Sequence, residues 1–415
     1  MRPLVLPCNG AWQSNSCYGS RPVNSVVLPL AITLAVQSIT SMAMIAPSVM
    51  APVAAPDLGV SAQGIGWFVG LEYLFAMISG LACGALIVRF GAVRVCQICV
   101  CLAAAGLAAG TGAVLPAVFA AAGLIGSGYG LVNPVSSHIL ASAAPPRMMS
   151  LIFSIKQTGV PVGGALAGVV VPSLVLLVGW RWSAAALALL CLLAAFAIQP
   201  ARAEDSAAMR RAGRASARDI FAPLGMVLAN PPVLELAIVS MIFGSAQLAL
   251  IAYFVSYLNL ELGYGLVAAG LVYSSAHAAG IVGRVAWGMV SDRWLSPRST
   301  LGCLGVMMAL SGMGVASFGA GWPLPAVIAV SVLFGASAVG WNGVYLAEVA
   351  RRAPPGLVGA ITGGTQFLTF IGALAAPPLF GLVVGLAGSY GKAYFAFCLL
   401  PALAGLRLLL SAHRT

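Results

Sequence analysis

Charge is scarce in this chain. Asp, Glu, Lys and Arg together make up 7% of its 415 residues, where a soluble domain carries about 25%. Acidic residues number nine and histidines three. No Walker loop, HExxH or GxSxG stretch occurs, so the phosphate cradle, the zinc-protease helix and the nucleophile elbow are all missing. Long polar stretches are missing as well, apart from one near residues 201–219. These absences exclude a soluble catalytic domain and a regulatory domain. The chain is therefore read as no enzyme and as needing no cofactor. Cysteine is present nine times, but Cys96, Cys99 and Cys101 have no neighbouring His or carboxylate to complete a tetrahedral site. Cys83, Cys191, Cys303 and Cys398 fall in or beside apolar runs, where Cys behaves as a small hydrophobe. No metal site is assigned.

What fills the sequence instead is apolar: 61% of the residues are hydrophobic, more than a soluble core could bury. A membrane-crossing helix needs about 20 mostly apolar residues, and the runs here predict twelve. The first six lie near 26–50, 64–88, 93–113, 116–140, 150–176 and 182–199. The second six lie near 233–258, 265–290, 299–320, 323–347, 357–386 and 392–411. The fold class expected is all-α and membrane-embedded, with the bilayer as its main partner. Four units follow: a tail at 1–25, a six-helix bundle at 26–200, a linker at 201–231 and a second six-helix bundle at 232–415. Residues 1–25 carry Arg2 and Arg21 with no short apolar core before a cleavage site, so a tail is expected rather than a cleaved signal peptide.

The net charge of +11 forms no basic stripe, so nucleic acid is not an expected partner. Its placement reads as membrane orientation. One side collects Arg89, Arg94, Arg147, Arg293, Arg298, Arg351, Arg352 and the linker residues Arg202, Arg210, Arg211, Arg214 and Arg218. The other side holds Arg181 and Lys392. Positive residues resist translocation, so both termini and the linker are expected in the cytoplasm, with the chain in the inner membrane.

The two halves repeat. GALIVRFGAVR follows the second span and GMVSDRWLSPR the eighth, so Gly84, Arg89, Phe90 and Arg94 match Gly288, Arg293, Trp294 and Arg298 at a constant offset. These loops resemble the signature between helices two and three of the major facilitator superfamily, roughly G-x-x-x-D-R-x-G-R-[RK]. KQTGVPVGGALAG at 156–168 resembles the Gly- and Pro-rich fifth helix of many of its members. The resemblance implies two pseudo-symmetric six-helix bundles around a central cavity that opens alternately to each side, and a chain that functions as a monomer. It also implies gating roles for Gly84, Arg89, Gly288, Asp292 and Arg293. Asp292 is read as a latch on the cytoplasmic side; the first loop has Val88 where the family has an acid, so only the second half can form that latch. Gly159, Gly163, Gly164 and Gly168, with Gly80 and Gly84 or Gly359 and Gly363, have the spacing at which helix backbones approach closely.

Four ionisable residues fall inside spans, where each costs at least about 2.5 kcal/mol at the bilayer centre. Arg284 lies eight residues before Asp292, roughly 12 Å inside the boundary, and His277 shares its helix face two turns away. The stretch AGIVGRVAWGMVSDR resembles helix eight of the monocarboxylate and oxalate/formate branches, which implies that Arg284 contacts a substrate carboxylate. A guanidinium suits that task, being planar, bidentate and always charged. His277 and Lys156 are expected to bind the substrate with Arg284, Lys156 reaching the same cavity from the first half; snorkelling to the membrane surface is the alternative for Arg284 and for Lys156. Glu72 and His277 are the candidates for carrying a coupling proton, each also readable as a hydrogen-bonded structural group. Polar groups expected to face the cavity and bind substrate are Gln37, Tyr129, Asn133, Gln157, Gln247 and Asn342; Ser38, Tyr253 and Trp341 lie on the same helices. The function read from these residues is alternating-access transport of a small organic solute, a carboxylate, with proton coupling open; the alternative is an exporter of drugs or other apolar compounds.

Overall fold

A computed structural model describes residues 24–112, 114–143, 148–201, 222–319, 321–354 and 357–412. The tail at 1–23, Arg147, and the linker arginines Arg202, Arg210, Arg211, Arg214 and Arg218 lie outside the described residues.

The described residues are helical almost throughout. The first half contains α1 (Asn24–Asp57), α2 (Ile65–Phe90), α3 (Ala92–Gly110), α4 (Leu115–Ala143), α5 (Met149–Gln157) and α6 (Gly159–Ala197). The second contains α7 (Ala222–Leu228), α8 (Pro231–Ser256), α9 (Leu266–Arg293), α10 (Pro297–Ala316), α11 (Leu324–Ala338), α12 (Asn342–Arg352), α13 (Val358–Ala387) and α14 (Tyr390–Ala412). Eleven stretches are long and apolar enough to cross a membrane, one of them Ile152–Ala201. That stretch is two crossings. It folds back at Gly179, whose φ of 78° breaks the helix in a region that glycine enters without a Cβ penalty. Among the described residues the count of crossings is therefore twelve, as expected.

Local chemistry sets the ends. Asn230 caps α8, accepting from Val233 N ahead of two prolines, and Ser296 caps α10 in the same way through Ser299 N. Glu261 caps α14 from a distance, accepting from Ser389 Oγ at 2.7 Å and from Tyr390 N at 2.5 Å. At the linker end of the second half, Glu235 joins Arg298 at 2.6 Å and Arg407 at 3.1 Å, tying α8, α10 and α14 together.

Within the first half α1 packs on α6 and α4, and α4 on α2 and α3; within the second, α10 packs on α14, α9 on α11 and α8 on α13. The halves meet along α2 with α13 and α6 with α9. These seams are tightest at the end away from the linker. A methyl on Gly66 would overlap Tyr253 Oη and the carbonyl of Pro377, and one on Gly270 would overlap the carbonyl of Gly168 and the ring of Pro172. Tyr253 Oη lies 2.7 Å from Pro377 O and 3.1 Å from Gln63 O, so one hydroxyl spans both halves. Ser274 Oγ donates across the other seam to Ala165 O at 2.8 Å.

At the linker end the picture reverses. Added methyls on Gly84 and Gly363 would meet open space, so these two do not serve the close packing their spacing predicts, and Gly288 is equally open. Gly159, Gly163, Gly164 and Gly168 do serve it. Arg89, Asp292 and Arg293 are exposed there, and Asp292 has no hydrogen bond or ion pair among the described residues. The halves are closed together at the far end and parted at the linker end.

Candidate functional site

Two crossings are interrupted partway along. α5 stops at Gln157 and α6 resumes at Gly159; α11 stops at Ala338 and α12 resumes at Asn342. A helix C-terminus exposes carbonyls with no partner in the helix and carries a partial negative charge. Arg284, within α9, meets both breaks. Its Nε donates to Val339 O at 3.1 Å and its Nη1 to Gln157 O at 2.5 Å. One guanidinium thus holds a carbonyl from each half. It does not snorkel, and it remains only half-buried although both halves touch it.

Lys156 is 1% exposed, and its Nζ donates to Asn133 Oδ1 at 2.5 Å. It too has turned inward rather than toward the surface. Its charge and that of Arg284 repel each other. The ion pairs among the described residues are Asp57–Arg181, Glu235–Arg298, Glu235–Arg407 and Glu348–Arg352, so neither Arg284 nor Lys156 is paired with a carboxylate there.

Glu72 on α2 is fully buried, and neither carboxylate oxygen has a hydrogen-bond partner among the described residues. With Ser41, Tyr73, Tyr129 and Ile251 it lines a cavity of about 10 Å³, the space of about one water. Tyr73 meets Tyr129 edge-on at 6.2 Å and Phe370 of the other half at 5.8 Å. These rings make a cluster, the ring floor, that joins the two halves beside Glu72.

His277 and Arg284 are on one helix but in different surroundings. His277 is fully buried in the seam, its ring 4.5 Å from that of Tyr273 and close against Gly164, with neither nitrogen bonded among the described residues. Gln37 is buried beside Gly159, with Nε2 3.5 Å from Ser41 Oγ. Gln247 accepts from Trp341 Nε1 at 3.1 Å, inside the second half. Tyr253 belongs to the far-end closure rather than to the region of Arg284. The side-chain amides of Gln157 and Asn342 are half-buried with no hydrogen bond among the described residues.

Sequence reading missed Tyr73, Phe370 and Val339. It also missed a second repeat: Asn133 and the APP run at 144–146 recur as Asn342 and APP at 353–355, and at the same offset Gln157 recurs as Gln366 and Gly163 as Gly372.

Comparison with known proteins agrees with this architecture. The profile of the Major Facilitator Superfamily matches residues 33–377. The chain is similar to a hexuronate transporter of Bacillus subtilis (strain 168), 22% identical over 291 residues, or 65% of this chain and 67% of that one. It superposes on a bacterial homologue of the human lysosomal transporter Spinster, solved inward-facing and occupied, with a TM-score of 0.75 and 14% identity over 95% of this chain and 98% of that one. It also resembles a POT family transporter solved with a thioalcohol-conjugated peptide, with a TM-score of 0.72 and 14% identity over 93% and 96%.

Proposed function

The chain belongs to the Major Facilitator Superfamily, and from that premise we propose that it carries a small organic carboxylate across the inner membrane by alternating access, working as a monomer. The observation that carries this reading is the pair of cations at mid-depth, Arg284 and Lys156, neither matched by a carboxylate among the described residues. Two like charges at that depth are costly without a counter-charge. An anion entering between the parted halves supplies one. Carbonyl oxygens hold Arg284 meanwhile, and a carboxylate is the stronger acceptor for a guanidinium. The hexuronate transporter to which the chain is similar is named for a carboxylate-bearing sugar acid, which is the same chemistry.

Orientation belongs to the same proposal. Arg181 and Lys392 sit at the closed end and the other loop cations at the parted end, so the positive-inside rule puts the parted end in the cytoplasm and this conformation faces inward. A cysteine replacing Arg210 in a cysteine-free background should be labelled from the cytoplasmic side; labelling from outside sinks the orientation.

The exporter reading gains little. It calls for a largely apolar wall, whereas Arg284 and Lys156 stand among carbonyl and amide oxygens.

Uptake of a carboxylate panel into proteoliposomes tests the function. Arg284→Lys keeps a point charge without the fork and should retain part of the activity. Arg284→Gln should lose on the order of 2 to 5 kcal/mol of binding. Transport of every substrate at wild-type level by Arg284→Gln removes the carboxylate reading.

A further inference from the structure

The second repeat sets uncharged residues where the first sets a cation and its amide partner. Asn133, Lys156 and Gln157 in the first half correspond to Asn342, Thr365 and Gln366 in the second. In the first half Asn133 is occupied by Lys156. Thr365 is fully buried and bonds to Thr362 O within its own helix, so Asn342 has no cation to hold. Its amide is half-buried and free of hydrogen bonds among the described residues, and so is that of Gln366.

Asn342 borders the space around Arg284, and Gln366 lies on the face of its helix that meets the first half. Asn342 lies three residues from Val339, whose carbonyl takes the Arg284 Nε, and the neighbouring Gly343 lies against the Arg284 backbone. Gln366 lies one turn from Phe370 on α13. Phe370 reaches across to Tyr73 of the other half, so residues at i and i+4 put Gln366 on the face turned toward the first half, one turn nearer the parted end. The opposite face of α13 is committed to the second half, where Thr369 bonds to Ser240. A primary amide at membrane depth with no protein partner is satisfied by water or by a ligand. Each offers two donors and an acceptor.

We propose that Asn342 and Gln366 form a hydroxyl-binding subsite, so that the substrate is a carboxylate whose carbon skeleton also carries hydroxyl groups. The inference rests on the carboxylate reading of Arg284 and extends it: the guanidinium takes the carboxylate, and the two amides, with Gln157 opposite, take the hydroxyls. A neutral amide suits a hydroxyl because it both donates and accepts. A site built to bond hydroxyls also rejects analogues lacking them, since its polar groups are then left unpaired.

The test is binding and counterflow with the full-length protein in proteoliposomes, using D-gluconate and, as a six-carbon carboxylate without hydroxyls, hexanoate. Wild type should prefer gluconate. Gln366→Met and Asn342→Leu should each weaken gluconate about tenfold and leave hexanoate unchanged, whereas Gln366→Asn, which keeps an amide, should retain most of the preference. Equal binding of the two probes by wild type, binding of neither, or equal losses for both probes in the two apolar variants overturns the subsite. Arg284→Gln reads separately: loss of both probes there supports the carboxylate reading whatever the amide variants do, and wild-type behaviour there rejects that reading alone.

Discussion

Gly66 and Gly270 hold corresponding places in the two halves, nine residues after the matching acids Asp57 and Glu261, and each is the point where its helix meets the other half without room for a methyl. Gly66 faces Tyr253 and Pro377; Gly270 faces Gly168 and Pro172. The far-end closure is therefore made twice, once by each repeat, from the smallest residue available.

Substitution at these glycines should act on the conformational equilibrium more than on stability. Gly66→Ala or Gly270→Ala places a methyl against backbone that cannot yield, while the state parted at the far end can accept it. Each variant should insert normally, lose uptake at least tenfold and show faster labelling of a cysteine at Val69 from the far side. Unchanged uptake and labelling would mean that the seam has room for a methyl and that these glycines do not set the equilibrium.

The twelve crossings were legible because each is an apolar run bounded by charge, proline or glycine, and the break at Gly179 falls between two predicted spans. The interruption after Gln157 has a mark that the span reading passed over: Pro161, four residues on, has no N–H to give the Gln157 carbonyl, and Arg284, 127 positions away, donates to it instead. The interruption at 339–341 carries no such proline. Pattern reading assigned Arg284 to its helix face but had no means of seeing the carbonyls it would meet. Tyr253 was placed among polar groups of the cavity helices for the same reason. Its partners, Gln63 and Pro377, lie 190 and 124 positions away, and only the packed fold puts it in the seam.

Tyr253→Phe removes the hydroxyl and keeps the ring, which stacks on Phe380 at 4.7 Å. The loss of a hydrogen bond shared by two carbonyls is worth about 1 kcal/mol, or roughly a fivefold shift toward the state open at the far end. Far-side labelling of the same Val69 cysteine should rise by that factor with little change in thermal stability. A large fall in stability with no change in labelling would make Tyr253 a packing residue only.

Asp292 is exposed and unpaired among the described residues while the linker end is parted, as a latch would be when released. If it closes against a helix N-terminus, the contact contributes about 0.3–1 kcal/mol. Asp292→Asn should then raise linker-side accessibility of cavity positions two- to fivefold, and Val88→Asp should change it less, since the first half has been built without that acid. Equal effects of the two substitutions would remove the asymmetric latch.

Glu72 supplies the last prediction. It is the acid buried beside the ring floor, none of its oxygens is bonded among the described residues, and its cavity has space for about one water. An ionised carboxylate there lacks the donors that make buried charge tolerable, so a mobile counter-charge must accompany it, and the smallest is a proton. The position fits exchange: Tyr73, which lines the same cavity, meets Phe370 of the opposite half, a contact that must break whenever the cavity changes sides. If Glu72 loads a proton with each cycle, an inward proton gradient should accelerate wild-type uptake. Glu72→Gln, which keeps the shape and cannot titrate, should abolish that acceleration while leaving substrate exchange at zero gradient within about twofold. Retention of the gradient response in Glu72→Gln would transfer the role to another group, His277 first; loss of exchange as well would make Glu72 part of the substrate site instead.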